Sequence, residues 1–528
     1  MTRTITAAAL RERLAGRGEL ALLDVREQGV HYRGHPFFAV SLPLSRLELM
    51  VADLAPRRSV PLVLLDGGEG LAEKAAARLE ALGYSGVAIL EGGCAGWKAA
   101  GGELFSGVNV PSKAFGEFVE HHYGTPRIPP QELNRLLSQN GKVLILDSRP
   151  FEEYHRMNIP GGIDAPGAEL AWRVHDLAPD PDTMVVVNCA GRTRSIIGCQ
   201  SLRNAGIPNP VVALKDGTMG WELAGFQVER GATRVAPAPS EEGRRKARRA
   251  AEEVAQRFQV RSVASQTLRS WMKESERTWY FLDVRSREEF EQRRIAGSRH
   301  APGGQLVQAT DEYIAVRNGR VVLIDPERVR SVMTASWLSQ MGWDDVYVLE
   351  PEGADGFAGW DVESGPPPKS ILGVQPWKLV RAKDVEKKSS VLDLSTSLRF
   401  RARHIPGAWW AVRSRLEEAR QKIPPPSSLV LTSEDGVLAH LAAPEAAALW
   451  PAAEVRVLEG GNAAWFAAGL PTETGIERAT TTLDDVWYKP YDHDHGADYE
   501  KHAREYLSWE VALVDQIMRD PTIRFRAY

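Results

Sequence analysis

A short stretch, Ile145-Leu146-Asp147-Ser148-Arg149, sets the pattern of this chain, because three close variants of it occur elsewhere. Each variant is an apolar run that ends in an acidic residue, and the three lie at 22–26, 281–285 and 391–395. Runs of this length and composition predict buried β-strands that open into loops. The chain therefore contains an internal repeat, and that repeat governs the fold.

A second apolar run follows each of these stretches at nearly one spacing. The second runs lead to Asp66, Cys189, Asp325 and Ser433, which follow the acidic residue of the first run by 42, 42, 42 and 40 positions. Each repeat then closes with a glycine-containing turn and a tryptophan, at Trp97, Trp221, Trp360 and Trp465. Helix-length segments lie between these elements. Strands that alternate with helices predict an α/β domain with a mostly parallel sheet, repeated four times.

The order of these motifs resembles that of the rhodanese domain. The shared elements are Asp-x-Arg, an Ile-Pro-Gly turn, a loop that starts with cysteine, and Gly-x-x-x-Trp. The turn is intact at 159–161 and 405–407, and it is degraded to Ile-Ala-Gly at 295–297 and to Gly-His-Pro at 34–36. The resemblance covers roughly residues 1–475 and implies four tandem three-layer α/β domains with mostly parallel central sheets.

Proline, glycine and charge mark the boundaries between the repeats. The expected rhodanese-like domains are 1–106, 125–232, 261–366 and 372–475, with a charged linker or helix at 233–260 and an aromatic, helical tail at 476–528. Residues near 100–128 are expected to separate the first two domains. The charged run in 241–253 falls after the second domain, which suggests two pairs of domains.

Bulk composition excludes several classes of protein. A chain of 528 residues with 43% hydrophobic and 25% charged residues is an ordinary globular mixture of several domains. A formal net charge of −4 gives no basic surface for nucleic acid or an anionic membrane. No targeting segment or long apolar run stands out, so the expected location is cytoplasmic. Three dispersed cysteines predict reduced thiols, and neither a metal nor another cofactor is expected.

One loop has the residues for covalent chemistry. Cys189-Ala190-Gly191-Arg192-Thr193-Arg194 connects a predicted strand to a helical pattern that begins near Ser195. Backbone amides at a helix N-terminus create positive potential, which lowers the pKa of a thiol there, and the thiolate is the nucleophile. Arg192 and Arg194 add positive charge and forked donors for an oxyanion.

The resemblance implies what this loop does. Cys189 attacks the outer sulfur of thiosulfate or a related small-molecule donor, and the persulfide then passes sulfur to cyanide, a thiol or a protein acceptor. Ala190, Gly191, Arg192, Thr193 and Arg194 are expected to bind the substrate. A sulfur-relay module that accepts persulfide from a partner protein is an alternative. An arsenate reductase or phosphatase of related fold is another, but the six-residue loop is short for phosphate or arsenate. The oligomeric state is left open.

Other residues of the second domain have weaker roles. Asp147 is expected at the mouth of the cleft, where ligands gather in open α/β sheets. Arg149 is expected to pair with Glu152 or Glu153, and Arg173 is a further candidate for the cleft. Cys199 is expected to pack within a helix, and Cys94 is incidental.

The matching loops of the other three repeats cannot hold a persulfide, because they have Asp66, Asp325 and Ser433 in place of cysteine. In the third repeat Pro326 removes an amide from the loop, and in the fourth Glu434 and Asp435 repel a dianion. Neither aspartate has the Mg²⁺-binding residues expected of a phosphoryl acceptor. These domains are expected to serve as scaffold.

The tail contains Asp492-His493-Asp494-His495, which resembles a metal cluster, although such runs in polar segments are usually solvated. Its tyrosines and tryptophans favour a helix and arm packed on a domain or on a second subunit: Trp487, Tyr488, Tyr491, Tyr499, Tyr506 and Trp509.

Overall fold

The structure is a computed structural model that describes residues 3–493 and 496–528. Four β-sheets follow one another along the chain, and each has the parallel order expected of the repeat. Helices connect the strands of each sheet, as parallel pairing requires. The predicted α/β class with four repeated, mostly parallel sheets is confirmed.

The first sheet has strands in the order β1-β5-β4-β2, with β3 beside β2, all parallel. Its strands are β1 Arg3–Ile5, β2 Leu20–Asp24, β3 Ala39–Ser41, β4 Leu62–Leu65 and β5 Val87–Leu90. Its helices are α1 Ala7–Ala15, α2 Gln28–His31, α3 Leu47–Leu54, α4 Leu71–Ala81 and α5 Gly93–Ala99. A 3₁₀ turn lies at Leu44–Arg46.

The second sheet has the order β6-β10-β9-β7-β8. Its strands are β6 Arg127–Ile128, β7 Val143–Asp147, β8 Ile163–Asp164, β9 Met184–Asn188 and β10 Val211–Leu214. Its helices are α6 Val110–Tyr123, α7 Pro130–Ser138, α8 Phe151–Arg156, α9 Glu169–Leu177, α10 Thr193–Asn204 and α11 Gly217–Leu223. The central strand β9 is almost wholly buried, which fits its run of three valines.

The third sheet has the order β11-β17-β16-β12-β14, and a two-stranded antiparallel sheet, β13 with β18, accompanies it. The strands of these two sheets are β11 Arg261–Val263, β12 Trp279–Asp283, β13 Arg294–Ile295, β14 Arg299–His300, β16 Arg320–Ile324, β17 Val346–Leu349 and β18 Val362–Glu363. A further short strand, β15 Val316–Arg317, lies in this part of the chain but outside both sheets. The helices are α12 Glu241–Arg257, α13 Ser265–Trp271, α14 Arg287–Gln292, α15 Gly303–Gln308 and α16 Val329–Gln340, with a 3₁₀ turn at Thr310–Glu312.

The fourth sheet has the order β19-β23-β22-β20-β21. Its strands are β19 Leu379–Val380, β20 Ser390–Asp393, β21 Trp409–Trp410, β22 Ser428–Thr432 and β23 Glu454–Leu458. Its helices are α17 Ser397–Ala402, α18 Leu416–Lys422, α19 Val437–Leu449 and α20 Gly461–Ala467. Further 3₁₀ turns lie at Ala382–Asp384, Arg413–Arg415 and Pro490–Asp492, and the tail ends in α21 Ala497–Ile517.

The chain divides into two compact units that do not follow sequence order. One contains the first and fourth sheets, and the other contains the second and third sheets together with Pro490–Tyr528. The charged helix α12 therefore does not separate two consecutive pairs of domains, as the sequence suggested. It belongs to the second unit and packs on α9 and α16. Its buried stripe consists of small residues: Gly243, Ala247, Ala250, Ala251 and Val254.

Candidate active site

Cys189 directly follows β9, at the carboxyl end of the central strand of the second sheet. Its side chain is buried, with 2% of the residue exposed. The start of α11 holds the loop, because the amides of Thr218 and Met219 donate to the carbonyls of Cys189 (2.8 Å) and Ala190 (3.0 Å). Gly217 has a φ of +57°, and a Cβ there would lie 2.4 Å from the Cys189 carbonyl oxygen, so this close approach requires glycine. The start of α11 thus fixes the backbone at the beginning of the loop.

The other three repeats show which way the side chain at the cysteine position points. Asp66 Oδ2 accepts from the Ala72 amide (3.0 Å), and Ser433 Oγ accepts from the Ala439 amide (3.3 Å). Asp325 Oδ2 accepts from the Ser331 amide (3.3 Å) in the same way. In each case the donor lies six positions downstream, in the first turns of the following helix. By this register the residue that Cys189 faces is Ser195, in the first turn of α10.

The helix N-terminus behind Cys189 is suited to an anion. The first amides of a helix have no intrahelical acceptor and carry the positive end of the helix dipole. In the first and third repeats a carboxylate takes up this potential itself: Asp66 also accepts from the Gly68 amide (2.9 Å), and Asp325 from the Arg330 amide (2.8 Å). Those loops hold an internal anion at the position where the second repeat has a thiol.

Arg192 does not point into an open anion site. Its guanidinium forms a two-pronged pair with Glu117 (2.7 and 2.7 Å) and further ion pairs with Glu120 (2.5 Å) and Asp216 (3.2 Å). Although burial alone would lower it, the pKa of Arg192 is raised by these carboxylates, Glu117 above all. The expectation that both loop arginines offer free donors to a substrate therefore does not fit Arg192, which anchors the loop to α6.

Arg194 is also paired, but it interacts electrostatically with the Cys189 thiol as well. It donates to both carboxylate oxygens of Glu153 on α8, at 2.9 and 2.8 Å. Burial would lower its pKa, but the neighbouring Glu153 and, more weakly, Cys189 hold that pKa above the ordinary value. Arg194 is therefore the loop cation whose charge acts on the thiol.

Asp147 is a structural residue rather than a ligand at the cleft mouth. The residue is 1% exposed, and its carboxylate accepts from Arg149 at Nε (2.8 Å) and Nη2 (2.7 Å) and from Asn188 Nδ2 (3.0 Å). The predicted partner of Arg149 was Glu152 or Glu153, and the observed partner is Asp147. The same aspartate–arginine pair recurs at Asp24 and Asp283 in repeats without the cysteine, so it supports the fold of the repeat.

The remaining candidates are Arg173 and Cys199 in this domain and Cys94 in the first domain. Arg173 pairs with Glu169 (2.6 Å) and donates to the Ala236 carbonyl (2.6 Å), which ties α9 to the following segment. Cys94 and Cys199 are buried, and burial raises the pKa of each thiol to about 12. Neither is suited to nucleophilic attack at neutral pH.

Two elements outside the repeat contribute to the site, and sequence reasoning missed their roles. Helix α6, in the segment expected to separate two domains, supplies Glu117 and Glu120 to Arg192. Helix α21 covers the loop, since Ala190 shares an apolar cluster with Tyr499 and Ala503. The aromatic residues of the tail predicted packing on a domain or on a second subunit. Nothing in the sequence pointed to the cysteine loop as that partner.

Part of the candidate metal cluster of the tail lies outside the described residues, namely Asp494 and His495. Among the described ones, His493, Asp498 and His502 offer ligand atoms within 4.8 Å of one another, and Asp498 is exposed. The imidazole rings of His493 and His502 stack at 3.6 Å.

Comparisons with known proteins agree with the repeat. A family model described as "Rhodanese-like domain" matches residues 6–100, 129–224 and 265–361. A crystal structure of thiosulfate sulfurtransferase from Pseudomonas aeruginosa is 47% identical, with a TM-score of 0.94, and the match covers 99% of each chain.

Other matches are local. An HTH-type transcriptional regulator of Mycobacterium tuberculosis is 39% identical over 92 residues, which are 17% of this chain and 40% of that protein. A rhodanese-like domain from Anabaena is 29% identical and covers 20% of this chain and 80% of its own, with a TM-score of 0.19. Within the described residues, no helix combines the length and apolar character needed to cross a membrane. From the three family-model matches and the full-length likeness, we conclude that this chain belongs to the rhodanese family.

Proposed function

We propose that this protein is a sulfurtransferase in which Cys189 carries sulfur as a persulfide. The observation that supports this most directly is the position of the cysteine. It stands where three sister repeats aim a side-chain acceptor at a helix N-terminus. A thiolate at that position is stabilised by the same amides, and it can take up sulfur as a persulfide, which a carboxylate or an unactivated hydroxyl cannot.

The proposed reaction has two displacements. The Cys189 thiolate attacks the outer sulfur of thiosulfate, a new S–S bond forms, and the bond to the inner sulfur breaks. Sulfite leaves with that electron pair. An acceptor thiolate or cyanide then attacks the terminal sulfur of the persulfide, and the Cys189 thiolate is regenerated. The thiosulfate sulfurtransferase of Pseudomonas aeruginosa, whose structure is similar over nearly the whole chain, supports thiosulfate as the donor.

Within this proposal the loop residues divide into two groups. Ala190, Gly191 and Thr193 give the backbone of the cradle, and Arg194 supplies the nearby positive charge. Arg192 binds no substrate directly, since three carboxylates occupy its guanidinium. It acts by holding the loop in place.

The decisive experiment is the intact mass of the protein after exposure to thiosulfate and removal of the excess. We expect one added sulfur atom per chain, on Cys189. The Cys189→Ser variant should gain none, and Cys199→Ser, the matched control on α10, should gain one. Sulfur that persists in Cys189→Ser would contradict the assignment.

A sulfur-relay role is a second candidate, and the ion pairs of Arg192 and Arg194 favour it. Both loop cations already have carboxylate partners, so less positive charge remains for a free dianion than the sequence suggested. A persulfide delivered by an organic or protein donor needs less of that charge. Faster loading of Cys189 by an organic persulfide than by thiosulfate at equal concentration would support this role, and the reverse would argue against it.

A further inference from the structure

The C-terminal helix α21 packs on the cysteine loop at Gly191, which has no side chain. A Cβ at Gly191 would lie 3.2 Å from both Tyr506 Cε1 and Glu510 Oε2, and 3.6 Å from Leu507 Cδ2. One turn of this helix therefore contacts the backbone of the loop that contains Cys189. A side chain at this position would require these neighbours to shift by a few tenths of an ångström.

Glu510 is the polar centre of this contact. The residue is 0% exposed, and its Oε1 accepts from Thr193 Oγ1 at 3.0 Å and from the Tyr506 hydroxyl at 2.9 Å. Lys113 Nζ lies 3.3 Å from the same oxygen. Because Thr193 is the first residue of α10, Glu510 is bonded to the helix N-terminus behind the cysteine.

The second oxygen of Glu510 is unusual. Glu510 Oε2 has no hydrogen-bond partner among the described residues, and it is the oxygen that faces Gly191. Burial of a carboxylate oxygen without a partner is costly, and native proteins rarely keep one without a reason. Its charge is therefore directed at the cysteine loop rather than at solvent.

The charged groups around this position come from three elements. Lys113 and Glu117 face it from α6, Tyr506 from α21 itself, and Arg194 lies on the loop side. Burial, Glu510 and the Cys189 thiol hold the pKa of Tyr506 well above its usual range, so the phenol stays a neutral donor. Glu117 binds the Arg192 side chain, whereas Glu510 is the carboxylate of this group that lies against the loop backbone at Gly191.

We propose that Glu510 is a positioning residue of the sulfur-carrying site, which links the C-terminal helix to the loop and opposes ionisation of the Cys189 thiol. A thiolate that forms less readily is the stronger nucleophile once formed. Glu510 thus balances the helix N-terminus and Arg194, which both favour the thiolate. The consequence for sulfur transfer rests on the proposed function, but the test below does not.

The test is the pH dependence of alkylation by iodoacetamide, with modified Cys189 quantified by peptide mass. In Glu510→Gln the shape of the side chain is kept and the charge is lost. We expect the pH midpoint of alkylation to fall by about half a unit to one unit. We expect the limiting rate at high pH to fall about two-fold, because a more acidic thiol is less nucleophilic. Glu505→Gln removes the same charge from the exposed face of the same helix and should change neither quantity.

If Glu510→Gln folds poorly, the proposal can still be tested with Tyr506→Phe. Tyr506→Phe removes a hydrogen bond to the carboxylate and leaves its charge, so the midpoint should move up or stay, never down. An unchanged midpoint in folded Glu510→Gln, or an equal fall in Glu505→Gln, would overturn the proposal. A chain that fails to take sulfur from thiosulfate would refute the proposed function instead, and the alkylation midpoints would still be readable.

Discussion

The ion pairs of Arg192 predict that this residue matters more for stability than for substrate charge. The guanidinium is 5% exposed, whereas its partners Glu117, Glu120 and Asp216 are 4%, 16% and 26% exposed. Removal of one member of a buried ion pair costs about 3–5 kcal/mol, because the other charge stays buried without a partner. Two of the three partners retain some contact with water, so we expect the lower end for Arg192→Gln, about 3 kcal/mol.

A loss of this size is measurable as a change in Tm. For domains of 150–250 residues each 1 kcal/mol shifts Tm by about 2–4 °C, so a loss of about 3 kcal/mol should lower the transition that reports the second unit by about 6–12 °C. Thermal unfolding of the full chain, followed by circular dichroism, gives this value. Arg203→Gln, an exposed change on helix α10, which begins directly after Arg192, is the matched control. A double variant, Arg192→Gln with Glu117→Gln, should recover part of the loss, since it removes the uncompensated charge.

The reasoning would be refuted by one clear pattern. If Arg192→Gln unfolds at the wild-type temperature and loses activity with thiosulfate alone, the arginine reads the charge of the donor. In that case the carboxylates seen around it would not be its main partners during catalysis.

Three further predictions concern Asp164, Asp325 and Arg194. Burial raises the pKa of Asp164 to about 8 in the folded protein. The unfolded chain loses the same proton near the ordinary pKa of aspartate, about 4. The free energy of unfolding should therefore fall as pH rises from about 4 to 8. Asp164→Asn should therefore stabilise the protein at pH 8, by about 2 kcal/mol in urea unfolding, and change little at pH 4; a gain at both pH values would contradict the linkage. Asp325→Cys combined with Cys189→Ser should give no thiosulfate turnover, because the proline after that position removes an amide from the loop; robust turnover would show an intact cradle. Arg194→Gln should lower kcat/KM for thiosulfate more than for an organic persulfide, and Glu153→Gln should raise kcat/KM for thiosulfate. Both effects should become smaller as salt is added. Equal losses for the two donors in Arg194→Gln would mean that Arg194 only holds the loop.

Much of the fold could be predicted from the sequence, because parallel strands buried on both faces leave continuous apolar runs. The strand before Cys189 is such a run, and the spacing between the paired runs reveals the repeat even where the cysteine is absent. The position of Cys189 between a strand and a helix could also be predicted, because the sequence marks both the end of the strand and the start of the helix.

The partners of the loop could not be predicted, because they come from segments without the repeat's pattern. Helix α6 has a polar face that reads as solvent-exposed, yet Glu117 lies against Arg192. Glu510 follows the tail aromatics, whose apolar character predicts packing but not its target. Contacts of this kind lie within the second unit but join segments far apart in the sequence, so no short-range pattern marks them.

The aspartates at the cysteine positions have a consequence for how such a repeat can change its role. Each carboxylate acts as a built-in ligand that completes its own loop, so these repeats need nothing from solution to satisfy the start of their helices. The second repeat has a thiol at this position, so the amides at the start of its helix gain a negatively charged partner only when the thiol ionises or an anion binds. Its folding free energy is therefore coupled to sulfur chemistry, whereas that of the first and third repeats is independent of it. Exchange of cysteine for aspartate thus replaces a loop that needs an anion with one that supplies its own.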